Sequence, residues 1–305
     1  MTFLNGILPP YIESIAITVG IYIVLALGLN LITGVTGQLS LGHAAYMSIG
    51  AYSSAVASMK LGLPFIFALL IGGFAAGLFG LVIGFPTLRL TGDYLAIATL
   101  GFGEIVKSLL FNMAFVGGAM GLAGIPPKTT FTVTLLIVVV VVVMMFRVEN
   151  SRFGRALLAI REDDIAAECS GVDAAAYKIK MFVLGTFIAG IGGALWSHKI
   201  MVIQPNDFGF MKSIEILNMV VLGGLGSIPG TIVGATVLTS VPELLRFSAE
   251  YRMLLYGVIL VIMMIFRPNG LLGGIDVTKV VKQSFKSLGG VKAKDNTKKT
   301  AKGGN

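Results

Sequence analysis

The sequence predicts an all-α polytopic transmembrane helix bundle of about eight or nine membrane elements, some of them broken or half helices. Three observations carry that prediction. The 305 residues are 55% hydrophobic and only 12% charged, with a mean hydropathy of +0.90, a balance that soluble domains of this length do not tolerate. Apolar runs such as residues 12–32, 65–85, 130–146 and 179–196 suit helices crossing roughly 30 Å of hydrocarbon and are too long for barrel strands. Forty glycines fit helices packed in lipid, where small residues let backbones approach and supply contacts that the hydrophobic effect does not.

Taken in order, spans near residues 12–32, 40–59, 64–85, 93–115 and 129–147 fill the first half. The second and fourth are rich in Gly, Ala, Ser and Thr and are expected to face protein or a cavity. After a charged loop come a span near 178–198, a short apolar piece at 214–222, and spans near 229–246 and 252–267. From residue 212 to 222 a helix rises only about 17 Å, short of the bilayer, so this piece reads as a half helix. The GGLGSIPG that follows, with Gly223, Gly224, Gly226 and Pro229, supplies its break. TGVTGQLSLGH at 33–43, with Gly37 and Gly42, reads as a comparable interruption. Irregular backbone at membrane depth survives only against protein or a water-filled cavity, and paired broken segments point to a translocation site between repeats. Ordinary glycine-rich turns between full spans are the competing reading.

Between residues 147 and 173 ten charged residues fall in 27 positions. Arg147, Arg152, Arg155, Arg161, Lys178 and Lys180 place this loop on the cytoplasmic side, as Arg267 and eight lysines between 279 and 302 place the C-terminus. The chain divides into a transmembrane domain (1–275) that includes a cytoplasmic loop (149–176), and a basic, disordered cytoplasmic tail (276–305). That tail, with eight lysines and two aspartates, carries most of the net charge of +8; it reads as a topology anchor next to membrane lipid, not as a nucleic-acid surface. Five crossings before the loop put the N-terminus outside. The segment before residue 12 lacks a cationic stretch, so no leader is expected to be removed.

Within the loop, Asp163 or Asp164 is a suitable N-cap and Gly171 a suitable residue just past the C-terminus, which leaves about two turns of helix between them. Arg161, Glu162, Asp163, Asp164 and Glu168 give it a polar surface, and Ile165, Ala166 and Cys169 a small apolar one. Helices under roughly 12 residues are marginal alone in water. This one is held by its flanking spans, by a docked partner, or by both.

No enzyme motif is present: there is no GxxxxGK[ST], HExxH or CxxC, and the histidines are His43 and His198. Neither a metal site nor a cofactor site is expected, and the single Cys169 excludes an intrachain disulfide. Ionisable and polar residues inside spans mark pathways or structural pairs. The candidates are Gln38 and His43 at the first interruption, then Asp93, Glu104 and Lys107 on one element. Glu215 lies at the mouth of the half helix, where a helix dipole stabilises a carboxylate. Glu104 and Lys107, spaced i, i+3, are expected to pair. Arg89 reads as an interface anchor.

Four ordered blocks then carry a resemblance: LNLITGVTGQLSLGHAAYMSIGAY (29–52), GDYLAIATLGFGEIVK (92–107), FGRALLAIREDDIAAECSGVD (153–173) and VVLGGLGSIPGTIVGA (220–235), closed by RPNGLLG (267–273). Together they resemble the LivM-type permease subunits of branched-chain amino acid ABC importers, over residues 12–272. The resemblance implies a permease that forms half of a translocation pathway in a bacterial or archaeal plasma (inner) membrane. It also implies a homologous second permease in a heterodimer, two cytoplasmic ABC ATPases that hydrolyse the ATP, and an extracytoplasmic solute-binding protein. Its fold would be similar to ribose-type and vitamin B12-type importers. Carried over by position, Arg161, Glu162, Asp163, Asp164, Ala167 and Gly171 fall in the family's ATPase-coupling helix. AMGLAGIP (119–126) lacks the Pro-Asn of related chains. Importers of urea, short amides or other amino acids form the nearest alternative; an ATPase-independent channel or secondary transporter, or a scaffold without transport, are more distant ones.

Overall fold

The computed structural model describes residues 9–87, 90 and 92–244, with 257, 261 and 270. Apart from those last three positions, the expected span at 252–267, the RPNGLLG segment, Arg89 and the basic tail lie outside the described residues. The architecture is all-α. Among the described residues, five helices are long and apolar enough to cross a membrane: α1 (Pro10–Asn30) with its π-helical extension Leu31–Val35, α3 (Phe65–Thr87), α4 (Asp93–Asn112), α5 (Phe131–Glu149) and α8 (Ala174–Ile200). Three shorter helices pack with them: α2 (His43–Met59), α9 (Phe210–Gly223) and α10 (Ile228–Leu244). The charged loop is built from α6 (Arg152–Glu162) and α7 (Asp164–Cys169). At the opposite end a two-residue antiparallel ladder joins Leu122–Ala123 to Val202–Ile203.

The centre of the bundle is α8, packed against α1, α2 and α3, with α2 and α3 also packed on each other. Nearly all of α2 and the second half of α1 are buried, whereas α3 and α5 expose Phe67, Phe74, Val82, Leu136 and Val140 in the manner of helices bathed by lipid. Glycine makes the central contact: a Cβ built on Gly50 of α2 would land on the backbone of Gly190 in α8. The two helices touch backbone to backbone, which maximises van der Waals contact where no hydrophobic driving force exists.

Two helices begin inside the bundle, not at its ends. The chain leaves α1 at the loop end, and residues 36–42 turn back as irregular backbone. The backbone N–H of Leu41 donates to Thr99 Oγ1 on α4 (3.0 Å), and α2 starts at His43, whose Nε2 lies 3.0 Å from the Leu25 carbonyl in α1. From the other end, α8 stops at Met201 in a left-handed turn, and residues 202–209 run back into the bundle. There Tyr52 of α2 donates to the Ile203 carbonyl (3.4 Å), and α9 starts at Phe210. The sequence placed one break after the half helix; the structure adds one before it. Gly223 still belongs to α9, Gly224 and Gly226 make the tight turn with φ of +108° and +82°, and Pro229 sits in the first turn of α10, where proline costs no hydrogen bond. At 14 residues α9 rises about 21 Å, less than a bilayer core.

Candidate functional site

Depth along α1 locates the first site. Tyr22 stands about 18 Å from Pro10 and about 20 Å from Val35, at 1.5 Å per residue, so it lies midway along the span. Its hydroxyl accepts a 2.7 Å hydrogen bond from Lys212 Nζ. Lys212 also donates to Glu215 Oε2 (2.7 Å) and lies over the rings of Tyr22 and Trp196, 5.2 and 5.3 Å from their centroids. Half-buried, it is tied down by an anion, a phenol and two aromatic faces, the setting that lets a cation persist at membrane depth.

Around it α4 and the start of α9 enclose a cavity of about 470 Å³, lined by Glu104, Lys107, Asp207, Phe210, Lys212 and Glu215 among others. Three expected polar residues, Glu104, Lys107 and Glu215, are therefore brought together. Their pairing differs from expectation. Glu104 and Lys107 do not close an ion pair; Glu215 pairs with Lys212 one turn earlier on the same helix. Nor does Glu215 cap α9, because Gly209 is the N-cap and supplies no side chain. The ammonium of Lys107 lies instead beside Gly209, 3.5 Å from where a Cβ would stand. Lys212 and Tyr22 went unnoticed in the sequence; the signal available was Lys212 and Glu215 at i, i+3 on a half helix.

The remaining candidates lie elsewhere. His43 is fully buried in the α1–α2 contact. Asp93 is exposed at the first residue of α4, at the loop end. Gln38 is buried, accepts from Thr36 Oγ1 (3.2 Å), and lines a second cavity of about 220 Å³ with Gly37, Arg161, Asp164 and Lys178.

That second cavity is the underside of the charged loop. Ser151 caps α6, accepting from the Gly154 N–H (3.1 Å). Of the two aspartates considered for the next cap, Asp163 performs it: its Oδ1 accepts from the N–H groups of Ile165 (2.9 Å) and Ala166 (3.0 Å). Asp164 instead forms an ion pair with Lys178 at the base of α8. At the far end the Val172 N–H reaches the Ala167 carbonyl (3.1 Å) and the Gly171 N–H reaches that of Glu168 (2.9 Å). Gly171 has φ of +83°, which makes the closed glycine cap of a Schellman motif. Ala167 and Val172 tuck against Ile160, Ala174 and Tyr177. The outcome is a short helix fixed at both ends with one large apolar side chain outward: Ile165 is 75% exposed.

Arg161 joins the loop to both interruptions. A Cβ on Gly37 would lie 3.5 Å from its Cγ, and one on Gly226 2.8 Å from its Nη1. The Gly226 N–H in turn donates to Asn30 Oδ1 at the end of α1 (2.8 Å). One side chain of the loop thus touches the turn after α1 and the turn after α9.

A chain with this bundle, two inward-starting helices and a rigid polar loop can be compared with known proteins. The profile of the family described as the branched-chain amino acid transport system permease component matches residues 11–264. The chain belongs to that family. Among curated relatives of this permease component, the high-affinity branched-chain amino acid transport system permease protein LivM of Escherichia coli K12 is 38% identical over 294 residues, covering 85% of this chain and 69% of its own. BraD, the corresponding permease protein of Pseudomonas aeruginosa, is 28% identical, with 87% and 95% covered. LivH of Salmonella typhimurium is 25% identical, with 85% and 93% covered. This permease is therefore a multi-pass membrane protein.

Proposed function

We propose that this permease component forms half of an ATP-driven import pathway for branched-chain amino acids, with a homologous permease as the other half. Two ABC ATPases dock on the α6–α7 loop, and an extracytoplasmic binding protein delivers the substrate. The loop lies in the cytoplasm and the N-terminus outside, in line with the arginines of the loop. What carries the reading is a rigid, doubly capped helix presenting Ile165 and Glu168 outward, beside the exposed Glu162 at the end of α6, within a family of amino acid permeases. A six-residue helix has no stability of its own to spare, so its caps and its ion pair to α8 serve to hold a surface in place. ATP-driven closure of the ATPases would move the docked loops. Arg161 would pass that motion to the turns at Gly37 and Gly226, where the half helices hinge, and bias the permease pair between inward-open and outward-open states.

The test is uptake of radiolabelled leucine into proteoliposomes that hold this chain, its partner permease and both ATPases, with the binding protein outside. Uptake that requires ATP supports the reading; uptake that persists when the ATPases are omitted overturns it in favour of a channel or secondary carrier.

A further inference from the structure

The cavity between α4 and α9 holds a particular balance of charge. Lys212 and Glu215 satisfy each other at 2.7 Å, and Asp207 is engaged by the Gln204 N–H at 2.9 Å. What remains is one cation, Lys107, with two carboxylates, Glu104 and Asp207, and no ion pair among the described residues joins them. Lys107 and Glu104 are three residues apart on one helix face, where side chains stand about 5–6 Å apart at Cβ. Glu104 is exposed and Lys107 half-buried at this cavity, so both charges are open to a ligand that enters it.

We propose that this cavity is a transit site for a zwitterionic α-amino acid, a reading that rests on the permease assignment above. The substrate carboxylate is received by Lys107 and by the third N–H of Lys212, whose other two donate to Tyr22 and Glu215. It lies at the N-terminus of α9, the positive end of a 14-residue helix dipole. The substrate ammonium is received by Glu104. Phe210 and Met211, the latter 78% exposed, offer the apolar surface for an aliphatic side chain. Urea or a neutral amide would leave both charges unanswered, so the cavity selects for a molecule carrying one charge of each sign. The site is open on one side, as a transit site must be if substrate is to leave it.

The complete importer in proteoliposomes tests this. Lys107→Gln and Glu104→Gln each lower ATP-driven leucine uptake by about tenfold, the loss of one charge-assisted hydrogen bond. Lys107→Arg retains most of the uptake, and ATP hydrolysis stimulated by the binding protein continues in all three. In a Cys169→Ser background, Lys107→Cys is modified by a methanethiosulfonate reagent, and millimolar leucine slows that modification. Unchanged uptake in both glutamine variants overturns the transit site while leaving the permease assignment intact. Equal modification of Lys107→Cys with and without leucine overturns it even where a glutamine variant fails to assemble. Absence of leucine uptake by the unsubstituted importer removes the permease assignment and the site with it.

Discussion

The backbone N–H of Ala44, in the first turn of α2, donates across 3.0 Å to the hydroxyl of Ser213, in the first turn of α9. Two helices that enter the bundle from opposite ends are thus joined at their N-termini, 169 residues apart in sequence. Helix N-termini leave N–H groups without intrahelical partners, and here a side chain of one half helix satisfies a group of the other. The buried Ala44 N–H has no water to turn to. Ser213→Ala should therefore cost about 1–3 kcal/mol, seen as a lower midpoint of thermal unfolding in detergent; Ser213→Thr, which keeps the hydroxyl, should cost less.

Gly171 closes α7 with φ of +83°, a conformation that costs a residue with a Cβ about 1–2 kcal/mol, and more for a β-branched one. Nothing lies within 4 Å of a Cβ there, so the penalty is conformational and not steric. Gly171→Val should loosen the α7 C-terminus and separate ATP hydrolysis from uptake, while the chain still inserts and copurifies with its partner permease. Asp163→Ala, which removes the N-cap at about 1 kcal/mol, should act in the same direction more mildly. The ratio of leucine transported to ATP hydrolysed is the measurement.

Ile165 projects from the loop at 75% exposure, an unusual position for a large aliphatic side chain beside so many charges. Ile165→Asp should abolish copurification with the ATPases and leave the fold intact, since only a quarter of that residue's surface is covered. In a Cys169→Ser background, Ile165→Cys should react with an impermeant maleimide only in inside-out vesicles. Labelling from the outer face would reverse the assigned topology.

The contact with the Gly190 backbone leaves no room for a side chain on Gly50, and Gly190 is closed in turn by Gly72 and Ala76 of α3. Gly50→Leu should drive α2 and α8 apart at the centre of the bundle, beyond what side-chain rearrangement can absorb. The expected readout is loss of a monodisperse peak on size exclusion and degradation in the membrane. Gly62→Ala is a control that meets no atom within 4 Å, although its φ of +63° adds a modest local strain.

Much of the loop was readable because its determinants are local. An aspartate, a glycine and the interval between them dictate a two-turn helix by capping chemistry alone, and only the choice between Asp163 and Asp164 needed Lys178, which reaches over from α8. The central cavity was half readable. Glu104, Lys107 and Glu215 stood out as charges in apolar sequence, but their mutual arrangement did not, and Lys212 was not singled out. Its tie to Tyr22, 190 residues away, has no trace in local pattern.

Composition and apolar run length by themselves determined that this chain is a helical membrane bundle, because hydrocarbon imposes its thickness and its intolerance of unpaired backbone on any sequence that crosses it. Its ordered motifs determined the family. Only the tertiary structure decided where α2 and α9 begin. Residues 36–42 and 201–209 have no periodicity that says whether they cap the bundle or run back into it. Their direction is set by long-range partners, Thr99 for Leu41, Tyr52 for Ile203 and Ser213 for Ala44, which supply the hydrogen bonds that irregular backbone at that depth cannot take from lipid.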